Sequence, residues 1–492
     1  MSSASTRATG TGARLGWSLA LLATAQLIFS LDINIVFVAL PEIGADLGFP
    51  GQTQQLVVSS YVVFAGGFLL LGGRMADMLG RRRVFVAALA TYAVSSLAGG
   101  LAWSPEVIVA ARALQGIGGA LLLPSTLSLV NTLFEEGPKR NRALAIWGGA
   151  GASGLTVGAL LGGVLTELFG WPAVFLVNVP LAGGVALAAL AVIPADGART
   201  RGRRFDLPGA ITATVGATLV VFGLVQGTEV GWSDLLVVGS LAVGAVFLAL
   251  FALTEARSKD PLMPFRLFKG RNLTVGASVT FIYMGTFGAL PYFLTVLLNT
   301  VHGFSALQTG LGFLVPSLAI MTGTQLGERL TNRMGTRGTL LLGFGIGVVG
   351  TALLAVGFDA EATYAMALPG LIVSGVGQGI VWTAMWIAAA TGVAPEEQGV
   401  ANGVATTTLN IGNAIGMALL IGVSSAGAAG LEGQAELTAL ADGGFVAVLL
   451  AAAGMFAGLL ITLALPRNAP TAPSVEGPAA PDPSEQAHAT TG

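Results

Sequence analysis

The chain has 492 residues, 54% hydrophobic and only 10% charged, with 71 glycines and a mean hydropathy of +0.79. A water-soluble globule of this length has no use for so much apolar surface, and the composition points to a lipid bilayer. A net charge of −2 gives no case for nucleic acid, and the absence of cysteine excludes disulfides and thiolate metal sites.

A spanning helix needs roughly 20 apolar residues. That ruler predicts fourteen segments: 16–40, 54–73, 84–103, 107–134, 143–166, 173–193, 207–227, 235–255, 272–298, 307–327, 338–357, 363–390, 400–425 and 444–465. The first contains LIFSLDINIVFVALP, residues 27–41, an almost unbroken apolar run with Asp32 inside it. An Asp at mid-helix costs roughly 2.5–3.5 kcal/mol on insertion, so such an acid faces a cavity or a partner. The plainer reading is a protonated or paired acid that only fixes helix packing. A signal peptide cleaved after Ala23-Thr24-Ala25 competes for this stretch, but the apolar run continues to Leu40.

In the fourth segment Arg112 lies about five residues inside the end, and Asp32 about eight residues inside the corresponding end of the first. At about 1.5 Å per residue the two differ in depth by about one turn, so both can line one cavity. A neighbouring Arg favours an ionised carboxylate and desolvation a protonated one, a balance that cargo or a proton can tip. The plainer reading of Arg112 is a snorkelling interfacial residue. The fifth segment sets Ala150, Gly154, Gly158 and Gly162 four apart on one face with Gly163 beside them, a spacing that permits close helix approach.

The basic residues test the count. Arg7 and Arg14 precede the first segment; Arg74 and Arg81 to Arg83 follow the second, Lys139, Arg140 and Arg142 the fourth, and Arg199, Arg201, Arg203 and Arg204 the sixth. Arg257, Lys259, Arg266, Lys269 and Arg271 follow the eighth, Arg329, Arg333 and Arg337 the tenth, and Arg467 the last. Of 23 Lys and Arg, all but Arg112 fall on one side, the cytoplasm by the positive-inside rule, and both termini lie there. Trp103, Trp171 and Trp232 fall at the opposite ends, where interfacial anchors belong.

The sequence also repeats. GGRMADMLGRRR (72–83) is echoed by LGERLTNRMGTR (326–337), Gln115-Gly116 by Gln378-Gly379, and Gly158/Gly162 by Gly412/Gly416. Three echoes in order divide the chain into a tail (1–15), a six-helix bundle (16–193), an inserted pair with its loops (194–271), a second bundle (272–466) and a disordered Pro- and Ala-rich tail (467–492).

Gly73 to Arg82, with Gly73, Asp77, Gly80, Arg81 and Arg82, resembles the signature loop of the major facilitator superfamily. LDINIVFVALP (31–41), RALQGIGGALLLPS (112–125) and the glycine-rich fifth segment resemble the motifs of its fourteen-helix drug/proton antiporter branch. The chain departs from them at Ala159, where antiporters carry proline, at Asn34 and Phe37 in the first motif, and at Ser59. The resemblance implies an all-α integral membrane protein of the major facilitator fold, a monomer in the plasma membrane, exporting a lipophilic small molecule against inward proton flow. It implies Asp32 and Arg112 in proton coupling, and Asp77 in a gate against arginines and the start of the thirteenth segment.

Asn34, Gln55, Tyr61, Gln115, Gln378 and Trp382 are candidates for the cavity wall, with Gln26, Tyr283, Tyr292, Trp386, Asn402, Asn410 and Asn413 as further polar or stacking groups. Nothing resembles a nucleotide-binding loop, a metal site or a nucleophile constellation, so no cofactor and no enzyme activity are expected. The two histidines, His302 and His488, are far apart in sequence. An importer of a metabolite on the same fold is the second reading; a membrane sensor is a third, for which no soluble signalling domain is visible.

Overall fold

The computed structural model describes residues 3–49, 56–196, 206–258, 265–304, 306–359, 361–425, 427, 431 and 433–466. Gln55, Arg199, Arg201, Arg203, Arg204, Lys259, Arg467, His488 and the expected tail from 467 lie outside them. Regular structure among the described residues is helical. The first set of helices is α1 (Ser3–Asp46), α2 (Leu56–Gly67), α3 (Leu69–Leu79), α4 (Arg81–Gly100), α5 (Pro105–Leu133), α6 (Pro138–Phe169), α7 (Pro172–Leu176) and α8 (Asn178–Val192). After α9 (Leu207–Val230) and α10 (Leu235–Arg257) comes a second set: α11 (Arg271–Thr286), α12 (Leu290–Thr295), α13 (Ala306–Gly312), α14 (Leu314–Ala355), α15 (Tyr364–Ala390), α16 (Gln398–Ser425) and α17 (Gln434–Thr462).

Among the described residues eleven helices are long and apolar enough to cross a membrane, and twelve if α2 and α3, bent by 50° at Phe68, make one span. The fourteen predicted segments differ from that count in two places. Segments 307–327 and 338–357 merge in the run Gln308–Ala355, which breaks at Gly335, where φ is 76°. Segment 143–166 falls in α6, a 32-residue helix whose short apolar end Leu160–Phe169 is scored alone. Helical backbone also extends from Ser3 through the stretch expected as an amino-terminal tail. A helix satisfies its own backbone groups in any medium, so apolar length marks where the bilayer lies and not where the helix stops.

The sequence echoes carry the same packing. The glycine face of α6 lies on the backbone of α1: a Cβ at Gly158 would stand 2.4 Å from the Leu31 carbonyl oxygen, and one at Gly154 2.6 Å from that of Leu27. In the second set a Cβ at Gly412 or Gly416 of α16 would stand 2.2 Å from the carbonyl oxygen of Phe281 or Gly285 in α11. Both stripes therefore close a contact inside one set of helices, and not a sliding surface between the sets. α9 packs on the outside of α2 and α3, where Val221 and Thr218 fill the space beside Gly66 and Gly67; α10 packs on α9, and Phe251 joins Ala210 and Ala213 in a cluster against which Leu70 and Leu71 pack. Leu235, Leu236 and Val246 of α10 are exposed, as a lipid-facing surface requires.

Because the α1 backbone sits where a side chain would go, Gly158→Val should lower the stability of the detergent-solubilised protein by about 1–3 kcal/mol, read as a fall in thermal midpoint. Gly163→Ala, with nothing within 4 Å of the added methyl, should leave the midpoint unchanged. Equal effects would show that the stripe does not close on α1.

Candidate functional site

Asp32 and Arg112 are 0% and 1% exposed and meet directly, Arg112 Nη1 donating to Asp32 Oδ2 at 2.6 Å. A lone carboxylate in hydrocarbon is expensive, and here both oxygens are met: Gln115 Nε2 and Asn178 Nδ2 both donate to Oδ1 at 2.9 Å. Arg112 is as well held. Nη1 also donates to Gln115 Oε1 at 2.8 Å, Nε donates to the Val57 carbonyl oxygen at 3.0 Å, and the guanidinium lies 4.3 Å from the centre of the Tyr61 ring. Ser96 accepts the other Gln115 amide bond at 2.9 Å. α1, α2, α4, α5 and α8 thus converge on one fully buried ion pair.

On the arginine-rich side the two sets of helices are in contact. Asp77 Oδ1 and Oδ2 accept from the backbone N–H groups of Gly399 and Val400 at 3.1 and 3.0 Å, the first turn of α16, where the helix dipole favours negative charge. Arg81 reaches Asp77 at 3.4 Å, donates to Ser128 Oγ at 2.7 Å and to the Pro395 carbonyl, so it ties α3, α5 and the approach to α16 together. Gly73 lets this happen, since a Cβ there would stand 2.3 Å from the Gly399 carbonyl oxygen. Gly80, at φ 103°, turns the chain so that Asp196 caps α4 by accepting from the N–H groups of Arg82 and Arg83 at 3.0 and 3.1 Å; Arg82 itself donates to the Leu190 carbonyl. The repeat gives a second, uncharged contact. Asn332, which matches Asp77, accepts from Asn141 Nδ2 near the start of α6 at 2.6 Å. Between them Asn131 of α5 donates to Gln398 and Asn402 of α16 at 3.2 and 3.4 Å.

A third contact between the sets is aromatic. Trp147 of α6 packs on Trp382 and Trp386 of α15, and Tyr283 of α11 lies against Trp382.

The structure brings Asp32, Arg112, Tyr61 and Gln115 into one cluster, and Gln378 and Trp382 into another. Gly73, Asp77, Gly80, Arg81 and Arg82 form a third. Asn34 is half-buried on α1; Gly154, Gly158 and Gly162 pack on the α1 backbone, whereas a Cβ at Gly163 would have nothing within 4 Å. Trp103 and Trp232 are exposed as expected of anchors, whereas Trp171 is buried and donates to Asp46 at 2.8 Å. Sequence reasoning missed Asn178 and Trp147. Asn178 is the lone amide in the apolar run FLVNVPLAGG, the same signal that drew attention to Asp32. Trp147 lies near the basic loop after the fourth segment, where an interfacial role hides a buried one.

A family model described as Major Facilitator Superfamily matches residues 22–417. The chain is 38% identical to the cephamycin export protein CmcT of Amycolatopsis lactamdurans, over 93% of each chain. It is 38% identical to the puromycin resistance protein pur8 of Streptomyces alboniger, over 85% of this chain and 83% of that one. Among solved structures, the human organic anion transporter MFSD10 superposes with a TM-score of 0.66 at 17% identity, covering 91% of this chain and 99% of that one, a likeness of fold.

Removing one partner of a buried ion pair strands the other, at a cost of about 3–5 kcal/mol, whereas an apolar pair can be neutral. Asp32→Leu and Arg112→Leu should therefore each lower the thermal midpoint more than the double variant does; additive losses would show the pair is not coupled. The chain has no cysteine, so Asn141→Cys with Asn332→Cys should cross-link with a short bis-thiol reagent. The yield should fall severalfold when Asp77→Asn removes the charge at the α16 terminus, and an unchanged yield would separate Asp77 from closure of that side.

Proposed function

The chain belongs to the major facilitator superfamily, and on that premise we propose that it exports lipophilic antibiotics from the cell in exchange for protons. It is a multi-pass membrane protein and a secondary transporter. Export rather than import follows the names of its relatives, an export protein and a resistance protein, with which it shares more than a third of its residues over most of its length. The bundles are residues 16–193 and 272–466 with α9 and α10 inserted, fourteen spans once Gln308–Ala355 is divided at Gly335 and α6 is counted. Both termini face the cytoplasm, the side on which the basic residues gather.

The observation that carries the coupling is the Asp32 carboxylate bound on both oxygens by Arg112, Gln115 and Asn178. Those donors, one of them a guanidinium, pair best with a carboxylate in this conformation, which is closed at the arginine-rich face. Its donors come from α5 and α8, so a shift of α1 against them unpairs it in a medium too poor in water to solvate a free carboxylate. Protonation then removes the charge, and re-pairing with Arg112 expels the proton. Asp77 and its bonds to Gly399 and Val400 serve as the cytoplasmic latch that forms in one state and breaks in the other.

In everted vesicles from a host without its own exporters, an imposed pH gradient should drive uptake of puromycin by the wild type. Asp32→Asn should lose at least tenfold in gradient-driven uptake at equal membrane level, while retaining exchange of drug down its own gradient. Equal uptake by both would leave Asp32 a packing residue, and net uptake into intact cells would favour the importer reading.

A further inference from the structure

We infer that Trp147, Trp382 and Trp386 form a box that receives a planar aromatic ring of the cargo, an inference that rests on the export reading above. The Trp147 and Trp382 rings are parallel to within 7° with centroids 6.3 Å apart, one from each set of helices. Trp386 stands across the end, at 89° to Trp147 and 84° to Trp382 and 5.7 Å from both. Tyr283 backs Trp382 from α11 at 5.4 Å. Gly148 makes the wall possible, since a Cβ there would stand 2.6 Å from the Trp382 indole edge.

A ring stacked between two faces needs them roughly 7 Å apart, twice the contact distance of carbon atoms. Trp147 and Trp382 have their centroids only 6.3 Å apart, so α6 and α15 must part before one enters. The walls belong to opposite sets, so the motion that opens the arginine-rich face also opens the box, and a bound ring replaces the wall-to-wall contact it breaks. From Ala390 at the end of α15, Trp386 and Trp382 lie four and eight residues in, about 6 and 12 Å, within reach of the cytoplasmic face.

The second observation is polar. The indole N–H groups of Trp147, Trp382 and Trp386 are all buried without an acceptor, and Trp147 and Trp386 are 0% and 2% exposed. Indole is a donor only, and a buried donor without an acceptor is costly. One such group is common in a packed interior; three in one cluster mark a recognition surface closed upon itself. The cargo is therefore a planar aromatic carrying hydrogen-bond acceptors near the ring, without need of a positive charge, since the walls bring no carboxylate.

The test uses the full chain in bilayer nanodiscs with Trp17, Trp103, Trp171 and Trp232 changed to Phe, which leaves only the box among the 7 tryptophans to fluoresce. The probe is puromycin, whose planar rings carry acceptors. It should quench the emission saturably. Trp382→Leu should weaken the apparent affinity at least tenfold and Trp382→Phe, which keeps a stacking face, no more than threefold. Gly148→Ala, which displaces the wall and removes no ring, should weaken it severalfold. Everted vesicles of the same variants are assayed in parallel. If the vesicles export puromycin and the drug does not quench, or Trp382→Leu binds it as tightly as the parent, the box is packing and the inference is overturned while export stands. If the unsubstituted chain does not transport puromycin, the export reading falls and this inference falls with it.

Discussion

A carboxylate and a guanidinium inside hydrocarbon cannot exist singly, and the arrangement of the first set of helices answers to that constraint. Asp32 and Arg112 are 0% and 1% exposed, and each bonds to groups on other helices. Five helices must come together around one point for this pair to be neutral and satisfied. The cost of separating it is what makes it fit to report on helix movement, because a displacement of one partner changes the charge state that the other tolerates.

The contacts between the sets are graded in polarity. Nearest the basic loops is a charged latch, Asp77 on the first turn of α16, with its uncharged counterpart at Asn141 and Asn332. Level with it lie the amides of Asn131, Gln398 and Asn402, and the tryptophans lie deeper. A helix terminus and a carboxylate release one another at low cost in water, while stacked rings part easily only for another ring. The repeat supplies the latch and its counterpart, yet unequally: one member of the pair became charged and the other did not.

Close approach of backbones underlies all of this. Gly73 at Gly399, Gly158 at Leu31 and Gly416 at Gly285 bring helices near enough that a side chain at Gly73, Gly158 or Gly416 would collide with a carbonyl. In lipid there is no hydrophobic gain from bringing helices together, so such contacts rely on dispersion at short range. At Gly158 and Gly416 these contacts lie inside each set, and hold α6 on α1 and α16 on α11.

Much was legible in the sequence because the bilayer reads only a few properties of a chain. Apolar length and the distribution of arginine set the spans, and the expense of Asp32 and Arg112 in hydrocarbon singled them out as a pair at matching depth. Helix ends were less legible: α1 begins well before its apolar segment, and helical backbone runs on through the polar stretch 328–337, breaking only at Gly335. Trp147 and Asn178 stayed hidden, since a tryptophan near a basic loop reads as an anchor and an amide reads as a local hydrogen bond. By itself the sequence determined that the chain is helical, that it lies in a membrane, and that one acid and one base are buried there, because each is a matter of transfer free energy along the chain. Only the tertiary structure decided which groups meet, Asn178 on Asp32, Asp77 on the start of α16 and Trp147 on Trp382, because a contact between distant helices depends on how they pack and rotate, which no residue's own hydropathy records.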